Sequence, residues 1–344
     1  MARRAAPSAT RGEFKPPIST FRYHQVLPPP RYIAKPFYTP PSEALRFLPE
    51  GPRLLQNHPD GKGLLGWVAI QHAPDLLEGS INVLNLASLE NHSIPLPGRP
   101  GFFCETQRPG IVLVGMERTL IYCNLLTGAI EETGIIVTAD ERVIINDGLA
   151  VQGGLLFGTK HLEFNQAIAA LYHFNSATGK VSTVLAGQTC SNGKFLKGTM
   201  LIDIDSTPKT ITRYHLDADL TQVLDRSVLI DPAALPAFPD GMRPSPDGKS
   251  VIVAFFNPDH VANGLAQQIC LETSVILCEW ELPGSPRVTC PEFVEIDGKV
   301  MLLFTTAVEG MSAETRAIAP AAGTLFIAET PFDKMPDFPP LMLP

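Results

Sequence analysis

Four polar residues stand singly along the chain, each beside a glycine or one residue away from it. They are Glu50, Asn146, Asn192 and Asp240. Their carboxylate and amide groups are of the types that bind cations and polar substrates. The glycine lets the backbone turn sharply and leaves room near a ligand. Asn-Gly and Asp-Gly are also common hairpin turns, so each residue taken alone has a turn as its simpler interpretation. We interpret Asp247-Gly248 and Asp297-Gly298 only as turns.

The histidines and cysteines form no recognisable metal-binding or catalytic motif. His161, His173, His215 and His260 have no short metal-ligand spacing, and we expect His173 and His215 to be structural. The six cysteines form no Cys-x-x-Cys pair and lie mostly in apolar runs, so we expect buried free thiols and, from them, a reducing, cytoplasmic setting. The chain has no Gly-x-Ser-x-Gly elbow, P-loop or dinucleotide fingerprint.

A short strand-like element recurs along the chain and would position these residues. Its copies are Ile81 to Leu86, Leu120 to Leu125, Leu171 to Asn175, Ile211 to Leu216, Gln268 to Leu271 and Thr324 to Ala328. Their intervals of roughly 40 to 56 residues match a four-stranded propeller blade. We therefore predict an all-β, six-bladed propeller of antiparallel blades around a central channel, in which single polar residues from several blades converge. The alternative is a pair of β-sandwiches, which explains the strands but not the repeat.

The first 45 residues form a separate zone rich in proline. Leu27 to Pro30 and Thr39 to Pro41 cannot form helix or central strand, so we expect an extension (1–45) packed on the propeller (46–344). Arg3, Arg4 and Arg11 suggest at most a weak organellar targeting segment, and no apolar core of a secretory signal follows them.

Charge and hydropathy exclude two classes of partner. The net charge is -8 without a basic stripe, so we expect no nucleic-acid partner. No apolar stretch approaches the roughly 20 residues that span a bilayer, so we expect no membrane partner. The sequence does not indicate an oligomeric state.

Several ordered motifs resemble one family. Asn146-Asp147-Gly148, Gly158-Thr159, Ser191-Asn192-Gly193, Ile204-Asp205-Ser206 and Pro239-Asp240-Gly241-Met242 occur in the order found in the senescence marker protein 30/gluconolactonase/luciferin-regenerating enzyme family, which includes regucalcin. The resemblance covers roughly residues 45 to 330. It implies a metal-dependent hydrolase that opens a small-molecule lactone.

The resemblance also implies the site. Glu50, Asn192 and Asp240 would bind one divalent cation (calcium, magnesium, manganese or zinc, with calcium favoured), since two carboxylates and an amide oxygen make a hard site with open positions. Asp240, or the cation itself, would activate water as the catalytic base. Asn146 would lie beside the metal. Glu163 falls where some members contact substrate, although a solvated loop glutamate is an equal interpretation.

The sequence departs from the family at two places. Ile144 stands where regucalcin-like members carry arginine, with Arg142 nearby, and Val151 to Gly154 replaces an Asp-Pro turn. The natural substrate is therefore not defined. A metal-binding regulatory propeller without turnover and an interaction scaffold are the alternative functions.

Overall fold

The computed structural model describes residues 28–336 and residue 343. They form six antiparallel blades of four strands in a ring, one of which gains a fifth strand, so the predicted six-bladed β-propeller is confirmed. Two strands precede the first blade along the chain, β1 (Arg31–Ile33) and β2 (Lys35–Tyr38). The described helices are short: α1 (Glu43–Phe47), α2 (Ala313–Ile318) and a 3₁₀ turn at Pro232–Ala234. No helix of this described part is long and apolar enough to cross a membrane.

Each blade runs from an inner strand at the channel to an outer strand at the rim. The first three blades are β3 (Pro49–Leu54), β4 (Leu64–Ala69), β5 (Gly79–Asn85) and β6 (Asn91–Leu96); β7 (Pro100–Glu105), β8 (Ile111–Met116), β9 (Thr119–Asn124) and β10 (Ile130–Ile136); and β11 (Val143–Val151), β12 (Gly154–His161), β13 (Ala169–Asn175) and β14 (Lys180–Gln188). The last three are β15 (Ser191–Lys197), β16 (Met200–Asp205), β17 (Thr210–Leu216) and β18 (Val223–Val228); β19 (Phe238–Pro244), β20 (Ser250–Phe256), β21 (Gly264–Cys270) and β22 (Ile276–Leu282); and β23 (Val288–Ile296), β24 (Lys299–Thr306) and β25 (Leu325–Glu329).

The recurring sequence element is the third strand of every blade. Its six copies fall on β5, β9, β13, β17, β21 and β25. The middle strands of a blade are covered on both faces by the neighbouring blades, and β4 is buried along its whole length. The apolar core is therefore a series of layers between adjacent blades. The six cysteines are free, and five of them are buried.

The proline-rich segment enters the sheets through strand pairing. β1 pairs in parallel with β22 as a fifth strand, and β2 pairs antiparallel with β25 as the outer strand of the last blade. Tyr32 stacks on Trp280 with ring centroids 5.8 Å apart, and Arg31 makes an ion pair with Glu279 at 2.7 Å. The arginine-rich start of the chain lies outside the described residues, and the division at residue 45 stays a prediction.

Every inner strand shifts its register with the adjacent strand of its blade. The shifts lie at Glu50/Arg53, Pro100/Phe102, Ile145/Gly148, Ser191/Lys194, Pro239/Met242 and Val288/Cys290. Such a bulge bends a strand and redirects its side chains. All four predicted polar residues lie at or within these bulges.

The glycines beside the polar residues allow adjacent blades to approach closely. A Cβ atom on Gly193 would lie 2.6 Å from the Cβ of Met242, and one on Gly241 would lie 2.5 Å from the Sγ of Cys290. Asn192-Gly193 and Asp240-Gly241 are therefore mid-strand pairs, not hairpin turns. Asp297-Gly298, by contrast, is the tight turn that the sequence predicts, with positive φ at both residues.

Candidate metal centre

A cavity of about 370 Å³ opens at the centre of the ring, where the inner strands of several blades meet. The structure brings four predicted residues into its lining, namely Glu50 from β3, Asn146 from β11, Asn192 from β15 and Asp240 from β19. Because the four residues come from four different blades, only closure of the ring places them together.

The two asparagines are held by a chain of hydrogen bonds. Asn146 Nδ2 donates to Asn192 Oδ1 at 2.8 Å and to the Ser191 carbonyl at 3.0 Å. Asn192 Nδ2 donates to Ser206 Oγ at 2.8 Å, and Ser206 donates to the Pro239 carbonyl at 2.6 Å. This chain gives Asn192 one orientation and leaves a second lone pair on its Oδ1 for a ligand.

Glu50 and Asp240 are two acidic side chains that repel each other. Burial, together with repulsion from Asp147, raises the pKa of Glu50 to about 8, although the Gly51 amide donates to its Oε2 at 3.1 Å. Burial and repulsion from Glu50 raise the pKa of Asp240 well above its ordinary value. Removing a carboxylate from water penalises its charged form, and a second carboxylate close by adds to that penalty.

These residues fit a hard divalent cation. A cation bound between the two acids would offset their repulsion, and the carbonyl oxygen of Asn192 is a third oxygen donor. Within the described residues there is no cluster of three or more histidine, cysteine, aspartate or glutamate side chains that could hold a metal by themselves. The candidate set of cation ligands therefore depends on Asn192.

Glu163 does not line the cavity. Its side chain is exposed, and its Oε2 accepts a hydrogen bond from Asn165 Nδ2 at 3.1 Å. The neighbouring residues Lys160 and Phe164 do line the cavity. A substrate contact by Glu163 stays a prediction to which this geometry lends no support. His173 and His215 lie on third strands and are not among the lining residues.

Sequence reasoning missed four polar residues of the cavity, namely Lys160, Ser206, Thr207 and Glu309. Lys160 directly follows the Gly158-Thr159 motif, and Ser206 ends the Ile204-Asp205-Ser206 motif, but none of the four had a predicted role. Sequence reasoning also missed the apolar wall. It includes Ile70, Phe164, Phe238 and Phe256.

Comparisons with known proteins agree with this architecture. The family model described as SMP-30/Gluconolactonase/LRE-like region matches residues 48–308. An uncharacterized protein of Sulfolobus acidocaldarius is 30% identical over 153 residues, which cover 44% of this chain and 53% of that protein. The chain thus spans about half the length of this relative.

Solved structures share the fold at low sequence identity. A calcium-binding regucalcin from Agrobacterium tumefaciens superposes with a TM-score of 0.73 at 20% identity, covering 90% of this chain and 99% of that one. A luciferin-regenerating enzyme gives 0.70 at 18% identity, with coverage of 86% and 93%. A gluconolactonase from Xanthomonas campestris gives 0.60 at 11% identity, with coverage of 89% and 99%. The family match extends over most of the propeller, and the chain belongs to the SMP-30/gluconolactonase/LRE-like family.

Proposed function

We propose that this protein is a lactone hydrolase that depends on one divalent cation held by Glu50, Asn192 and Asp240. The observation that carries the proposal is the convergence of two mutually repelling carboxylates, one buried and one half-buried, with a hydrogen-bonded asparagine in one cavity. Family membership supports it, because the family includes gluconolactonases.

The proposed chemistry is the addition of water to a cyclic ester. When bound, the cation would polarise the lactone carbonyl and stabilise the oxyanion. Asp240 accepts a proton from the attacking water, whose oxygen forms a bond to the carbonyl carbon. The bond between this carbon and the ring oxygen then breaks, and the proton ends on that oxygen to give a hydroxy acid. Asn146 positions Asn192 through the 2.8 Å hydrogen bond.

The direct test combines cation loading with one substitution. Chelator-treated protein is reloaded separately with calcium, magnesium, manganese or zinc and assayed on aldonolactones and alkyl lactones. We expect one cation to restore turnover, and Asp240→Ala to lose both bound cation and activity. Unchanged cation content and activity in the Asp240→Ala variant would contradict the proposal.

Asp297→Asn is the matched control. Asp297 also precedes a glycine, but it is exposed in a hairpin turn and has a φ of 51°, which asparagine tolerates. We expect this variant to bind the cation and turn over substrate as the parent does.

A second candidate function is cation binding without turnover. The structural similarity to a calcium-binding regucalcin favours it, as does Ile144 in place of an arginine. It predicts stoichiometric cation binding that depends on Asp240, with no lactone opened at any cation loading. A cytoplasmic location also remains our proposal, supported by six free cysteines.

A further inference from the structure

We propose that Lys160 determines the substrate class of this cavity by binding a carboxylate carried on an otherwise apolar lactone. This inference rests on the proposed function of the same site. It identifies a residue that the family resemblance leaves without a role.

Lys160 takes a position beside the missing arginine. Ile144 on β11 pairs directly with Lys160 on β12. Ile144 is only 2% exposed and is not among the lining residues, whereas Lys160 lines the cavity. The resemblance predicts a positively charged side chain at position 144 of β11. In this chain the adjacent strand supplies that charge through Lys160.

The ammonium group of Lys160 keeps its donors free. In the described part of the chain, no hydrogen bond or ion pair involves its Nζ, which lies 5.8 Å from the ring centroid of Phe164. It is the one cationic side chain among the residues described as lining the cavity. A lysine ammonium can donate three hydrogen bonds, so all three are open to a ligand.

The charges of the cavity favour an anion once a cation is bound. Lys160 attracts both Glu50 and Asp240 electrostatically but forms no ion pair with either. A divalent cation would neutralise those two carboxylates, so they would no longer offset the charge of Lys160. Glu309, the remaining acid of the lining, is attracted to the buried Arg287 outside the cavity.

The remaining wall disfavours a polyhydroxylated substrate. Ile70, Phe164, Phe238 and Phe256 offer no side-chain hydrogen-bond partner, and outside the proposed cation site the wall adds the hydroxyl group of Thr207. A sugar lactone placed against them would lose water from its hydroxyl groups without replacement, and each unpaired group would weaken binding. A single carboxylate on an apolar ring or chain satisfies both Lys160 and this wall.

The test uses a matched pair of probes that cannot be hydrolysed. The probes 3-oxocyclopentane-1-carboxylate and 3-oxocyclopentane-1-carboxamide share a ring and a ketone that mimics the lactone carbonyl, and they differ in one charge. Their binding to calcium-loaded protein is measured by calorimetry. We expect the parent protein to prefer the carboxylate about 10- to 100-fold, the range typical of a charge-assisted hydrogen bond.

Three variants separate Lys160 from other causes. Lys160→Met should abolish the preference, and Lys160→Arg should retain most of it. Lys197→Met, which removes the same charge from an exposed position on β15, should behave as the parent. A preference that survives in Lys160→Met would overturn the inference, because the carboxylate would then be bound by the cation itself. Absence of any preference in the parent would overturn it as well.

The outcome is distinguishable from failure of the proposed function. If the parent opens no lactone but still prefers the carboxylate through Lys160, the lactonase proposal fails and the assignment of Lys160 stands. If lactones are opened equally with and without a carboxylate substituent by the parent and by Lys160→Met, the assignment of Lys160 fails and the lactonase proposal stands.

Discussion

Raising the pH should destabilise the cation-free protein, because Glu50 and Asp240 are then forced to ionise inside the cavity. The pKa of Glu50 rises from 4.5 to about 8 on folding, and that of Asp240 also rises. An acid whose pKa is higher in the folded state binds its proton more tightly there. Its contribution to stability is therefore complete below its unfolded pKa and is lost as the pH rises toward the folded value.

The size of the effect follows from Glu50. At about 1.4 kcal/mol for each pH unit, the difference between 4.5 and about 8 corresponds to at most about 5 kcal/mol of unfolding free energy. Part of the Glu50 side chain is open to the cavity, and solvent screens that part. We therefore expect a loss of about 2 to 4 kcal/mol between acidic and mildly alkaline pH.

Urea unfolding measures this loss. Chelator-treated protein is unfolded at about pH 5.5 and about pH 8.5, with and without excess calcium. The midpoint should fall at the higher pH in the cation-free protein, and calcium should restore it because the cation binds only the folded state. Asp240→Asn removes one charge of the pair, so this variant should show a weaker pH dependence and no response to calcium.

Glu295→Gln is the control, since Glu295 is an exposed glutamate on β23, the inner strand of the last blade. We expect its pH profile and calcium response to match those of the parent. A cation-free parent whose stability is the same at both pH values, or rises with pH, would refute the reasoning, since the two acids would then not share a poorly solvated cavity.

Three further changes have expected outcomes. Ser206→Ala removes the hydroxyl that accepts from Asn192, so calcium affinity measured by calorimetry should fall about tenfold. Gly241→Ala would place a methyl group 2.5 Å from the Sγ of Cys290 on the next blade, so urea unfolding should show a loss of about 1 to 3 kcal/mol. Chelation should abolish lactone hydrolysis, and added calcium should restore it.

Each of these outcomes has its own check. Ser227→Ala, at an exposed position of β18, should bind calcium as the parent does. An unfolding midpoint for Gly241→Ala equal to that of the parent would mean that the two inner strands do not approach closely. Hydrolysis that persists in chelator, with no metal found by elemental analysis, would exclude a role of the cation in turnover.

The blade repeat is predictable from local sequence patterns. Alternating apolar residues in elements such as Ile81 to Leu86 and Ile211 to Leu216 reflect a strand period of two, which is a local property. These elements proved to be the third strands of the blades. Local pattern also predicted the Asp297-Gly298 turn correctly.

Which polar residues meet depends on how the blades pack against one another. Asp240-Gly241 and Asp297-Gly298 share a dipeptide, yet the first lies in an inner strand against the next blade and the second in an exposed turn. Residue type alone cannot distinguish them, because what differs is the neighbouring blade. Family resemblance had favoured Asp240, and closure of the ring brought its side chain into the cavity.

The role proposed for Lys160 also could not be predicted from local sequence. Sixteen positions separate it from Ile144, and nothing local relates the two residues. The antiparallel register of β11 and β12 places Ile144 opposite Lys160. The positively charged side chain that is absent from β11 is therefore present on β12. The strands follow from local alternation, whereas the chemistry of the cavity follows from register and ring closure, which depend on contacts between distant parts of the chain.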